Sequence, residues 1–255
     1  ESHWQEVSDY MLPRKAEITK QRARGDKRHV QIFDATAIHA LELLAASLHG
    51  MLTSSANKWF SLRFKETELN DIDEAKEWLE NSTRRMYDAI AKSNFQQEIF
   101  ECYFDLIAFG TACLMIEEDQ EDTLLFSARH IKEIYIQENK KGFVDTIYRK
   151  FKMPVQAVID KFGADNVSKD TVTTFKKSPF EETTLVHVAR PRSNFDPQKK
   201  DKQNMPVQSI YFEFESGHII SIGGFNEMPY VIPRYLKAST ETYGRSPGMF
   251  CLSFF

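Results

Sequence analysis

With 255 residues, 42% of them hydrophobic and 27% charged, the chain can bury a core of its own, which excludes a disordered tail or linker. A net charge of −4 excludes a generally basic nucleic-acid binder, although charge can still be sorted onto one face. Cys102, Cys113 and Cys251 have no paired spacing, which points away from a disulfide framework and toward a reducing compartment. Residues 1–10 read as neither a secretion signal nor an anchor, and no stretch is apolar for long enough to span a membrane.

In chain order, residues 13–30, "PRKAEITKQRARGDKRHV", are basic and poor in apolar side chains, so they read as an exposed arm. Asp34 and Thr36 then offer N-cap oxygens, and Ile38, Leu41, Leu44, Leu48, Met51 and Leu52 recur at helical spacing up to a break at Thr53. The stretch "WFSLRF" at 59–64 alternates with period two and predicts a short strand. A second helix is predicted from Asp71, with Glu74 completing a capping-box-like start and Ile72, Ala75, Leu79, Met86, Ala89 and Ile90 on one side. A third runs from Asn94 to a C-terminal cap at Gly110, and its later half is apolar nearly all round, as suits a buried helix.

Beyond Gly110 the period changes. "TACLMIEED", "TLLFSARH" and "KEIYIQENKKGFVDTIYRKF" are β-rich runs, with a hairpin tip at Asn139 to Gly142. A short helix is marked at its two ends by Pro154 and Gly163, and "TTLVHVAR" resumes the strands. Residues 190–204 read as a long mobile loop, the second basic feature. The hairpin that follows sets Ile210, Phe212 and Phe214 against Glu213 and Glu215 as its wet face, and turns at Ser216-Gly217. No linker divides the chain, so the expectation is a single α+β region over 1–255, with N-terminal amphipathic helices followed by β-rich hairpins. Its parts are an N-terminal arm (1–33), a helical part (34–110), a β-rich part (111–235) and a final stretch (236–255).

A search for chemistry is empty. No P-loop exists, and Gly223-Gly224 lacks the third glycine of a dinucleotide fingerprint and reads as a bulge or turn. None of the seven histidines has metal-ligand spacing, and Cys102 lies on a helix predicted to be buried. The acidic run Glu117 to Asp122 reads as a solvated hairpin tip. No catalytic residue, cofactor or metal is expected; the remaining enzymatic reading is a nuclease using Glu117, Glu118 and Asp119 with a divalent cation.

Several phrases, taken together, carry more. "WQEVSDYMLPRK", "IFDATAIHALELLAASLHGMLTSSANKWFSLRF", "SNFQQEIFECYFDLIAFGTACLMIEED", "GGFNEMPYVIPRY" and "ETYGRSP" resemble, in order and approximate spacing, the head-to-tail connector (portal) proteins of short-tailed, podovirus-type bacteriophages. The motif positions are Trp59, Phe60, Phe109, Gly110, Gly223, Gly224, Tyr243, Gly244, Arg245 and Ser246. The resemblance implies a structural virion protein, usually a dodecameric ring at one capsid vertex, through which a terminase motor packages double-stranded DNA and from which DNA is ejected. It further implies contacts with capsid and tail proteins, assembly in the bacterial host cytoplasm, no membrane and no catalysis. Such portals have a wing, a stem, a clip and a crown. This chain resembles the wing-forming half, with "ETYGRSP" at the entrance to the stem and the stem, clip and crown missing. A non-catalytic interaction module built on the same unit is the alternative. The closing "FCLSFF" is apolar without caps or charges and reads as a fragment boundary, a frameshift or a premature stop, with a partner-docking or wing-packing segment as the alternative.

Overall fold

A computed structural model describes residues 1–20, 26–27, 32, 34–196, 198–199 and 201–252. Its main elements are helices α1 (Ser2–Met11), α2 (Thr36–Leu52), α3 (Asp73–Lys92) and α4 (Phe95–Phe109), then strands β1 (Leu114–Asp119), β2 (Thr123–Ala128), β3 (Ile134–Glu138) and β4 (Val144–Pro154). Helices α5 (Val155–Phe162) and α6 (Lys169–Lys177) follow, then β5 (Glu182–Pro191), β6 (Val207–Glu213), β7 (Ile219–Phe225), β8 (Tyr230–Val231) and α7 (Pro247–Cys251). Helices precede antiparallel sheets, as the α+β expectation requires. By packing, the chain divides into two compact units, one of Glu1–Ile131 with Ile232–Phe255 and one of Lys132–Val231. No composition break marks the division because the second unit is an insertion: the chain leaves the first unit and later returns to it.

In the first unit α4 is the centre. Val7 and Met11 of α1, Leu41 and Ala45 of α2, and Tyr103, Phe104, Ile107 and Phe109 of α4 form one buried cluster. Phe95, Cys102, Ala112, Leu114 and Phe126 form another, between α4 and the antiparallel β1–β2 hairpin. Each large apolar side chain so buried contributes about 1.5–3 kcal/mol. The apolar sides of α4 are covered by these two clusters, while Gln97 stays exposed and Glu101 and Asp105 meet Lys15.

Residues 1–20 are not an exposed arm. Val7 is fully buried, and the Gln5 side chain ties the following segment back, donating to the Ala16 carbonyl at 2.9 Å and accepting from the Ile18 and Thr19 amides. Lys15 reaches Asp105 of α4 at 2.6 Å. Burial pushes the Asp105 carboxyl up to about 6 against the pull of Lys15, while Lys15, though burial opposes its charge, is raised by Asp105 and Glu101. The sequence signal failed here because the lysine is counted as solvated until its buried partner, far along the chain, is known. Within the rest of the basic run, residues 21–25 and 28–30 lie outside the described residues.

The predicted strand at 59–64 is not one. It is extended, with Phe60, Leu62 and Phe64 half-buried and Trp59, Ser61 and Arg63 exposed, but it pairs with no strand. Side chains do that work instead. The Tyr87 hydroxyl accepts from the Trp59 and Phe60 amides at 2.6 and 2.7 Å and donates to the Phe60 carbonyl. Thr83 Oγ1 accepts from the Leu62 amide at 3.2 Å, and Asn70 bridges the Phe64 amide and carbonyl. Nor does the expected capping box form: Asp71 is spent in a 3-10 turn (Thr67–Asp71), and α3 starts at Asp73 without a side-chain cap. Leu79 and Thr83 are buried, whereas Ile72 and Met86 of the predicted apolar face are exposed.

The second unit is a five-stranded antiparallel sheet in the order β3-β4-β5-β6-β7. Phe151, Leu185 and Ile220 of the sheet pack with Val158 of α5 and Val167. Pro154 and Gly163 mark α5 as predicted, Gly163 with φ of +85°. The wet face of the β6–β7 hairpin is the reverse of the prediction. Glu213 is buried, accepting from the Ser168 amide, Thr171 Oγ1 and Ser216 Oγ, which together hold its pKa down despite its burial. Phe214 and Ile222, on the opposite side, are exposed. The polar side chains won the interior because α6, missed in the sequence, brings their partners.

Candidate functional site

The motif positions at 109–110 and 243–246 meet. Helix α4 ends on Gly110, whose φ of +76° is a left-handed cap, and its amide still reaches the Leu106 carbonyl at 3.0 Å. From there the chain turns sharply into Thr111. The segment 232–246 lies back across this turn: Tyr235 donates to the Gly110 carbonyl at 2.9 Å, and Leu236 and Arg245 form an isolated antiparallel bridge.

At the crossing two glycine backbones touch. A Cβ on Gly110 would overlap the Gly244 carbonyl, and one on Gly244 would overlap the Gly110 carbonyl. Thr111 Oγ1 accepts from the Gly244 amide at 2.8 Å, and Ser246 Oγ donates to the Ala108 carbonyl at 2.8 Å. Both hydroxyls are fully buried. An orphan carbonyl of the last turn of α4 is thus satisfied by a residue more than a hundred positions away. The same Ser246 oxygen accepts from the Met249 amide and so caps α7.

Around this crossing the remaining motif residues take separate roles. Phe109 is fully buried. Tyr243 meets Trp4 edge-on at 5.1 Å, which joins the first helix to the crossing. Arg245 faces Glu241 bidentately on the surface; its hydrogen bonds hold the Glu241 carboxyl below its ordinary range and raise the guanidinium. Helix α7 follows, and a Cβ on Gly248 would come within 3.1 Å of Met11 Sδ and 3.2 Å of the Ala108 carbonyl. Met249 and Leu252 pack on the α1–α2–α4 cluster. Of "FCLSFF", Leu252 therefore packs against the fold while Phe250 and Cys251 are exposed; residues 253–255 lie outside the described residues.

The other motif positions lie elsewhere. Trp59 stacks on Phe95 at 5.9 Å and Phe60 on Tyr87 at 4.3 Å. Gly223 and Gly224 are neither bulge nor turn: they are regular members of β7, facing Ser209 and Gln208 of β6. Lys202 and Met205 lie close to Gly224, and Arg192 donates to the Gly223 carbonyl at 2.8 Å. Sequence reasoning missed Thr111, Tyr235 and Gly248; Thr111 carries the signal of a hydroxyl beside a motif glycine, and the other two carry no local signal.

Among the described residues there is no group of three or more metal-ligating side chains and no helix long and apolar enough to cross a membrane. The acidic run forms the β1–β2 turn, where Asp119 accepts from the Glu121 and Asp122 amides, bonds that hold its pKa down. Cys102 is buried and its thiol pushed up, by burial first and the neighbouring Asp105 next. At the crossing, backbone is held against backbone.

The family model described as bacteriophage head to tail connecting protein matches residues 1–253. The chain belongs to that family. The "Probable portal protein" of Bordetella phage BPP-1 is 35% identical over 252 residues, covering 97% of this chain and 45% of its relative. The "Portal protein" of Salmonella phage epsilon15 is 34% identical over 257 residues, covering 99% and 46%. This head-to-tail connecting chain thus spans about half the length of the curated relatives it matches. Within it, the crossing of Gly110 and Gly244 joins the two most distinctive phrases of the sequence, "FGT" and "TYGRSP".

Proposed function

We propose that this chain is the N-terminal, wing-forming part of a portal protein: a structural virion component that assembles as a ring of identical copies at one capsid vertex. The observation that carries the reading is the connector-family match along residues 1–253, together with relatives whose names are those of portal proteins. In this reading the ring, a dodecamer, admits double-stranded DNA driven by a terminase, retains it and releases it through the tail, and the chain catalyses nothing itself. Its partners are further copies of itself, capsid and tail proteins, and DNA held without sequence readout, because a sliding duplex needs weak backbone contacts. A closed ring uses a heterologous interface, in which two different surfaces of each copy meet at a fixed rotation. The motif residues act as packing and assembly elements, the Gly110–Gly244 crossing fixing where the chain after residue 246 departs.

Electron microscopy of the longer protein that contains this segment tests the reading. Rings with a central channel are the expected result; particles that stay monomeric at every concentration would overturn it. The 255-residue chain by itself is expected to form no stable ring.

A further inference from the structure

Helix α2 turns to solvent a side that is poor in charge. Its 17 residues include no lysine or arginine and one carboxylate, Glu42. Leu41 and Ala45 face the core, while Ala40, Leu43, Ala46, Ser47, Gly50 and Met51, at helical spacing on the other side, are exposed. Leu43 is 72% and Met51 82% exposed, where a solvated helix face would carry charged side chains. The Ser47 hydroxyl turns back to the Leu43 carbonyl at 2.8 Å and so needs no water. Nothing within the chain explains Gly50: its backbone is helical, and a Cβ there would meet no atom within 4 Å. A helical glycine is less stable than alanine, and a close approach from outside the chain accounts for it.

Helix α3 offers the matching shape. It buries Leu79 and Thr83, and on an adjoining flank Trp78, Ser82 and Arg85 recur at steps of four and three residues. Trp78 is 57% exposed and is backed by Phe64, stacked at 5.8 Å. On α2, Gly50, Ala46 and Leu43 recur at the same steps in the reverse direction. When the two helices run antiparallel, the Trp78 ring lies over the gap at Gly50, Ser82 meets Ala46, and Arg85 meets Leu43 and the adjacent Glu42. Large side chains thus stand opposite small ones, and the charges are opposite in sign. Arg85 has no ion pair among the described residues, and Glu42 has the His39 ring of its own helix at 3.7 Å. We propose that the outward face of α2 packs antiparallel against the Trp78–Arg85 flank of α3 in a neighbouring copy of this chain. These are two different surfaces of one chain, so the contact is heterologous and repeats from copy to copy. The inference takes from the ring reading only the presence of a second copy.

Disulfide trapping in the 255-residue chain tests the pairing, with the exposed Cys251 first replaced by serine. Oxidation of the double variant Ala46→Cys/Ser82→Cys should give a ladder of dimers, trimers and larger species, while a mixture of the two single variants should give dimers only. Ala46→Cys with Glu80→Cys, on another side of α3, should stay at background. Gly50→Ala separates an interface role from a structural one: it should raise the denaturant midpoint of the monomer, because alanine favours helix, and yet slow trapping about tenfold. Glu42→Arg and Arg85→Glu should each slow it as much, and the two combined should restore it. Denaturant midpoints check that each variant is folded. No ladder, a Glu80→Cys pair that traps equally well, dimers from Ala46→Cys alone (the face meeting its own like), or a Gly50→Ala variant that traps as its parent does would each overturn the proposal. Rings of the longer protein without the ladder would remove this pairing and leave the ring; a ladder without rings would do the reverse.

Discussion

Gly110 and Gly244 stand far apart in the sequence, whereas Gly223 and Gly224 stand side by side, and the separated pair is the one that acts together. At the α4 crossing each glycine's missing Cβ is the space filled by the other's backbone. On β7 the two neighbours differ: a Cβ on Gly224 would come within 2.5 Å of the Lys202 carbonyl and 2.8 Å of Met205 Cβ, while one on Gly223 would meet nothing. Adjacent strand residues point to opposite faces, so a dipeptide rarely serves one purpose. What requires glycine is close approach in space, and adjacency along the chain is no guide to it.

That contrast can be broken in graded steps. Gly244→Ala should cost the most, about 3 kcal/mol or outright misfolding, because rigid backbone stands on both sides of the added carbon; a chemical denaturation midpoint close to that of wild type would show the crossing to be soft. Gly224→Ala should lose about 2 kcal/mol by the same measurement, less because the loop 192–206 can shift. For Ser246→Ala the expected loss is about 1–2 kcal/mol, combining the α7 cap with the Ala108 carbonyl left without its hydroxyl donor. Calorimetry of Gly223→Ala should find stability within about 0.5 kcal/mol of wild type. If Gly223→Ala proved as damaging as Gly224→Ala, crowding would not be what distinguishes them.

Much of this was legible beforehand, and the failures share a cause. The existence of α2 and α4, the Gly110 cap, the α5 boundaries at Pro154 and Gly163, and the turn at Asn139–Gly142 follow from local signals that a sequence displays directly, although α2 forms no side-chain cap and leaves Met51 and Leu52 exposed. The strand at 59–64, the wet face at Glu213 and the exposed arm at Lys15 were misread because each is decided by a distant polar partner: Tyr87 and Thr83, Ser168 and Thr171, and Asp105 respectively. Periodicity weighs apolar against polar and has no means of knowing that a polar side chain will be met. At the site, the meeting of 110 with 244 was not legible, since glycine carries no side chain whose chemistry names its neighbour.

The Ser246 hydroxyl grips both the last turn of α4 and the first turn of α7. One oxygen thus serves two helix ends that lie far apart in the sequence, so that a change at Ser246 reaches the end of α4 and the start of α7 at once.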